Sequence, residues 1–300
     1  MNETVERILT LKREKEAILL AHHYMPEEVQ AVADYVGDSL GLSRQAAAAP
    51  GKRIVFCGVY FMAETAKILS PQKKVLLPDS EAGCPMADMI TPEELKAFQQ
   101  AHPGSVTVCY VNSSAAVKAA SDICCTSSNA ITVVESIPKD KRILFVPDRF
   151  LGDFVKSRTG RDIVTWSGYC PTHARITAEV VQQAKARHPG AVVLVHPECR
   201  PEVIVLAHAA LSTGQMIEYA QKSLAREFLI GTEKGILTQL RKRCPDKEFH
   251  LLAKDILCPN MKKITLDKIL HSLEQDVGEV TVDPQIAARA KQAIDAMLAL

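Results

Sequence analysis

Three Cys-Pro pairs carry the clearest chemical signal in this chain of 300 residues. Cys84, Cys170 and Cys258 open the stretches CPMADMIT, CPTHARIT and CPNMKKIT, spaced 86 and 88 residues apart, and each reaches Ile-Thr at its end. Thiolates bind soft metals and iron-sulfur clusters. A single Cys-Pro is more simply a small buried residue at a strand-to-helix turn. Cys244-Pro245, which lacks the Ile-Thr and falls outside the repeat, fits that plainer description. Three equivalent copies instead favour one shared metal centre. Three ligands rather than four leave a coordination position open, the pattern of a centre that does chemistry. The residues alone leave three readings open: an iron-sulfur enzyme, a zinc-dependent aldolase or hydrolase, and a non-catalytic iron-sulfur carrier.

A second set of residues keeps the same period. LLAHHY presents His22 and Tyr24, VCYVN presents Tyr110 and Asn112, and LVHPE presents His196 and Glu198. A spacing of two puts both members of each pair on one face of an extended strand. Seventeen residues beyond each first member stands a hydroxyl, at Ser39, Ser127 and Thr213. Each precedes a helical pattern, where it can cap free amides and where an anion can be held. Glu198 is the sole carboxylate among the strand tips and is therefore a candidate acid or base. His173 follows Cys170 by three residues, where the other copies carry Ala87 and Met261, and can reach the same centre. His102 and His188, in two His-Pro-Gly turns, belong to the other end of the strands and are assigned to structure. Cys57, Cys109, Cys124, Cys125 and Cys199 do not repeat and are assigned the same way.

These residues need a scaffold that repeats as they do. Each third reads helix, strand, helix, strand, helix, strand, ending in the Cys-Pro, and such alternation predicts parallel sheets in α/β layers. Sites in such sheets lie outside the carboxyl ends of the strands, where every marked residue falls. The expected fold is three similar α/β/α domains with short parallel sheets about a pseudo-threefold axis, with the site at its centre. The expected units are 1–86, 87–172 and 173–264, followed by a helical tail over 265–300 that packs back on the body. Thr91, Thr177 and Thr265 read as helix N-caps, with Thr91-Pro92-Glu93-Glu94 as a capping box.

Composition narrows the partners. With 36 basic and 35 acidic side chains there is no electrostatic footprint for nucleic acid. The N-terminal apolar run AILLA is too short for a signal-peptide core, and no segment has the length of a membrane span. A cytoplasmic location is expected, where nine cysteines stay unpaired and point to metal or catalysis. No Gly-x-Gly-x-x-Gly follows a strand, which disfavours a dinucleotide-binding oxidoreductase.

The segments LLAHHYMPEEVQAVADYVGDSL, CYVNSSAAVKAASDICCTSSNA, SGYCPTH, VHPEC and STGQMI resemble, in order and spacing, those of quinolinate synthase, the A protein of bacterial de novo NAD synthesis. The resemblance covers essentially the whole chain. It implies one 4Fe-4S cluster on Cys84, Cys170 and Cys258, whose fourth iron faces the substrate as a Lewis acid. It further implies condensation of iminoaspartate (iminosuccinate) with dihydroxyacetone phosphate to quinolinate, phosphate and two waters, and a hand-off of the imine from an L-aspartate oxidase. The family's substrate-binding pattern falls on His22, Ser39, Tyr110, Asn112, Ser127, His196, Glu198 and Thr213, with Tyr24 and His173 as further catalytic candidates. Asp255 and Leu252 stand where some members carry extra cysteines, so no thiol switch is expected there. His23 replaces a frequent Asn and is expected to point away from its neighbours, making the change mild.

Overall fold

The computed structural model describes residues 3–300; Met1 and Asn2, which open the first expected unit, lie outside the described residues. Among the described residues twelve strands form three separate four-stranded sheets. The first holds β1 (Ala17–His22), β2 (Tyr35–Gly37), β3 (Arg53–Cys57) and β4 (Lys74–Leu76). The second holds β5 (Val106–Tyr110), β6 (Ile123–Cys125), β7 (Ile143–Val146) and β8 (Ile163–Thr165), and the third β9 (Val192–Val195), β10 (Ala209–Ala210), β11 (Glu227–Gly231) and β12 (Glu248–Leu251). Every sheet is parallel, and each runs second strand, first, third, fourth. The central strand Ile143–Val146 is buried throughout, and the other central strands are buried beyond their first one or two residues. Helices cover their faces, so they read as continuous apolar runs.

The expected α/β class is what the chain adopts, with one addition. Each repeat contains a fourth strand, at β2, β6 and β10, that the sequence pattern does not announce. These strands are two or three residues long. That is too short for a periodic signal, and they exist because each pairs with the first strand of its sheet, as Leu20 with Tyr35. Their role is positional, since each delivers the chain to the hydroxyl that follows it.

Thr91, Thr177 and Thr265 each cap a helix through a hydrogen bond from the backbone three residues on, and Thr91 with Glu94 completes the capping box. A cap of this kind contributes about 1 kcal/mol. The His-Pro-Gly turns end the helices Pro92–Ala101 and Ala178–Arg187. Their glycines, Gly104 and Gly190, have φ of 78° and 102°, a backbone conformation that glycine adopts without a Cβ clash.

The C-terminal segment is less uniformly helical than expected. The helices Leu266–Gln275 and Pro284–Leu298 are joined by a stretch that forms an antiparallel bridge, Leu76 to Glu279, against the edge of β4. Asp276 anchors it, lying 3.1 Å from Arg53 Nε and 2.7 Å from Lys74 Nζ. The first C-terminal helix packs on Glu3–Glu14 and the second on Ala115–Ala119 and β6. One apolar core therefore runs through the first two sheets and the C-terminal helices, while the third sheet builds two smaller cores of its own. Among the described residues no helix is long and apolar enough to cross a membrane.

Candidate active site

The carboxyl ends of all three sheets face one cavity with about 620 Å³ of empty space, part of it open to solvent. Cys84, Cys170 and Cys258, from the loops after β4, β8 and β12, all line it. So do the three strand-tip pairs, His22 with Tyr24, Tyr110 with Asn112 and His196 with Glu198. Ser39, Ser127, Thr213 and His173 complete the set expected from the sequence. Among the described lining residues there is no lysine or arginine.

Two strand tips share a detail that sets a tautomer. The backbone N–H of Tyr24 donates to His22 Nδ1 at 3.2 Å, and that of Glu198 donates to His196 Nδ1 at 3.3 Å. A neutral ring that accepts at Nδ1 carries its proton on Nε2. Both rings are neutral, because burial pushes the His22 pKa well below its ordinary value and that of His196 down to about 3.

A chain of hydrogen bonds crosses the cavity wall. Tyr24 Oη lies 2.6 Å from Thr232 Oγ1, and His173 Nε2 lies 2.8 Å from the same oxygen. His173 Nδ1 is 2.7 Å from Glu198 Oε2 and 3.1 Å from Cys170 Sγ. Tyr110 Oη donates to Glu198 Oε1 at 2.5 Å. Burial pushes the Glu198 carboxyl up, but the His196 and His173 rings and the bonds from His173 and Tyr110 outweigh it and hold the group below the usual carboxylate range. Burial raises both tyrosines well above theirs. The chain thus runs between two neutral phenols through a fixed anion.

The hydroxyls sit differently from expectation. Ser39 and Thr213 do not cap their helices; Asp38 and Ser212 do, each accepting from the residue three ahead. Ser127 lies in the turn where Asn129 Oδ1 accepts from Thr126 N, before the helix Ala130–Ser136. Capping by the neighbouring side chain releases the marked hydroxyls toward the cavity. Asp38 does more than cap, since its carboxylate also accepts from Ser128 Oγ at 2.6 Å and Ser212 Oγ at 3.4 Å. It therefore joins all three repeats at one carboxylate.

His23 corrects the expectation that it points away. The ring is buried, and its Nδ1 lies 2.9 Å from Thr213 Oγ1. The reason is local: β1 ends at His22 and the chain turns at once, Met25 N donating to His22 O, so strand alternation does not extend to residue 23. Thr232, Asp38 and Glu233 also belong to the site and were not singled out from the sequence. Thr232 and Glu233 directly follow β11, so the strand-end rule applied to that strand would have found them. Asp38 precedes Ser39 and carries an N-cap signature.

The donor set fits a soft metal group. Burial pushes the Cys84 thiol up to about 12 and raises those of Cys170 and Cys258. Holding these three thiols ionised, where the lining offers no lysine or arginine, requires a cationic partner. Cys170, His173 and Glu198 also offer ligand atoms all within 4.8 Å of one another. Asn112 Oδ1, buried and without a hydrogen-bond partner among the described residues, marks a polar position that a ligand can satisfy.

A family model described as Quinolinate synthetase A protein matches residues 6–299. The chain belongs to that family. It is 54% identical over 292 residues to a quinolinate synthase of Dehalococcoides mccartyi strain CBDB1, covering 97% of this chain and 96% of that one. It is 53% identical to a quinolinate synthase of Geobacter metallireducens, covering 98% and 97% of the two chains, and 51% identical to one of Methanosarcina barkeri, covering 99% and 98%. Membership in the quinolinate synthase family makes the chain an enzyme of NAD biosynthesis.

Proposed function

We propose that the chain condenses iminoaspartate with dihydroxyacetone phosphate to give quinolinate, phosphate and two waters, with a 4Fe-4S cluster on Cys84, Cys170 and Cys258. The observation that carries this reading is the meeting of one cysteine from each repeat in a cavity that also holds the Tyr24 to Tyr110 hydrogen-bond chain. When bound, the cluster supplies a Lewis acid that polarises a carbonyl or a departing hydroxyl.

The chain's own groups account for binding and proton transfer. Both substrates are anionic, and they meet hydrogen-bond donors instead of basic side chains. Ser39, Ser127 and Thr213 present hydroxyls to carboxylate or phosphate oxygens. His22 and His196 present Nε2–H, and the Asn112 amide completes the set. His23 holds the Thr213 hydroxyl in place through Nδ1. Enolisation, ring closure and two dehydrations all move protons. Tyr24 is the group placed to give and take them at its Oη, replenished through Thr232 and His173, while Glu198 stabilises the imidazolium that His173 becomes. Because iminoaspartate hydrolyses in water, an L-aspartate oxidase that supplies it belongs to the proposal, as does a cytoplasmic setting.

The test is an anaerobic assay for quinolinate from the two substrates, with iron and sulfide measured on the same sample. Quinolinate formation with about four irons per chain and broad absorption near about 400 nm supports the reading. One zinc per chain and no colour would replace it with a zinc enzyme. An electron-transferring cluster that leaves both substrates unchanged would replace it with a carrier.

A further inference from the structure

At the amino-terminal end of the third sheet, away from the cavity, stands a second group of metal-binding side chains. His188 closes the helix Ala178–Arg187, Glu227 opens β11 and His250 lies in β12. His188 Nδ1 is 2.7 Å from Glu227 Oε1, and His250 Nε2 is 3.2 Å from the same oxygen. The two rings stack at 4.1 Å with 25° between their planes, so both nitrogens face one carboxylate. One ligand atom from each of the three lies within 4.8 Å of the other two. Glu248 Oε2, 3.7 Å from His250 Nε2, offers a fourth donor.

Two observations separate this group from a surface ion pair. The His250 contact lacks hydrogen-bond geometry, and the buried Nε2 has no hydrogen-bond partner among the described residues. An unsatisfied ring nitrogen aimed at a shared carboxylate is a ligand position rather than a stabilising bond. The donors are also confined to one repeat. Pairing of first with third strands sets Phe228 against Val192, Ile143 against Val106 and Ile54 against Ile18, so Arg142 and Arg53 occupy the place of Glu227 in the other sheets. His102, the counterpart of His188, packs edge-on against Phe98 instead. The turn and sheet therefore do not need these side chains.

We propose that His188, Glu227 and His250 form a site for a borderline transition-metal ion of the zinc, cobalt or nickel class. Imidazole nitrogens with a carboxylate suit such ions, and three protein ligands leave room for Glu248 or water. The side chains are 28%, 37% and 34% exposed, so an ion reaches them from solvent. The bound ion ties the end of one helix to two strands of the sheet whose cores are the smallest in the molecule. It therefore stabilises that sheet by mass action and takes no part in the cavity chemistry.

The test uses the cluster-loaded enzyme under anaerobic conditions, titrated with zinc chloride and, separately, with cobalt chloride. Wild type should bind one equivalent that His188→Gln and His250→Gln each bind at least about 100-fold more weakly, beyond what loss of an outer-shell partner costs. Zinc should raise the Tm of the wild type and not of the variants, while iron content and quinolinate formation stay level in all three. Equal zinc stoichiometry and affinity in wild type and both variants would overturn the site, as would a wild type that binds no zinc.

Discussion

The Tyr24 hydroxyl, from the first repeat, lies 2.6 Å from the Thr232 hydroxyl of the third, and both are buried. Among the described residues, Thr232 Oγ1 connects Tyr24 to the His173 ring. Thr232→Val keeps the shape and removes the link. It should lower kcat by about 10² while iron, sulfide and the thermal midpoint hold, the scale of a lost proton-transfer path. Thr232→Ser should retain most activity. Full activity in the valine variant, measured as quinolinate formed per cluster, would remove this relay.

The three cysteines of the cavity should behave as a set. Replacing Cys84, Cys170 or Cys258 by Ala should abolish the cluster, read as iron and sulfide per chain. Cys244, the buried C-cap of the helix Ile236–Arg243 and not among the residues lining the cavity, should tolerate the same change with the cluster intact. Equal loss from all four would undo the assignment.

Asp38 accepts from Gly41 N, Ser128 Oγ and Ser212 Oγ, so one carboxylate caps a helix and joins three repeats. Asp38→Ala should cost about 2–3 kcal/mol, the cap together with two hydroxyls left underbonded. Urea unfolding of the wild type and variant would show this as a shift in midpoint, and coincident curves would contradict it.

Burial lowers His23 to about 4, with Asp38 opposing and Arg243 reinforcing the shift. Its folded pKa lies below its ordinary value of 6.5, so between those limits the unfolded chain binds a proton that the native state does not. Stability therefore falls as pH drops through that window, by about 1.4 kcal/mol per pH unit for each such proton. His23→Asn should flatten the decline by on the order of 2–3 kcal/mol at pH 4. Urea midpoints taken across this range decide it; identical pH slopes would exclude His23 as a source.

What could be read from the residues alone follows from periodicity. Recurrence of Cys-Pro, of the paired strand tips and of the delayed hydroxyls marked twelve side chains, and all of them line the cavity. The parallel α/β class followed from the alternation of apolar runs and helical patterns, because periods of 2 and 3.6 are local properties that neighbouring residues express directly. The helix caps at Thr91, Thr177 and Thr265 were legible for the same reason.

Packing between repeats decided the rest. Tyr24 and Thr232 are 208 residues apart, and Asp38 and Ser212 are 174 apart. No spacing in the sequence encodes such a meeting, which arises only when sheets from different thirds turn their carboxyl ends to one centre. The edge strands β2, β6 and β10 exist through pairing with neighbours rather than through any run of their own. His23 comes to face Thr213, 190 residues away, because the chain turns directly after His22 and Gln30 Nε2 ties that turn, through the carbonyls of His23 and Met25, to the distant Gly235 carbonyl. Local pattern thus marked the residues that line the cavity, while long-range packing determined which of them touch.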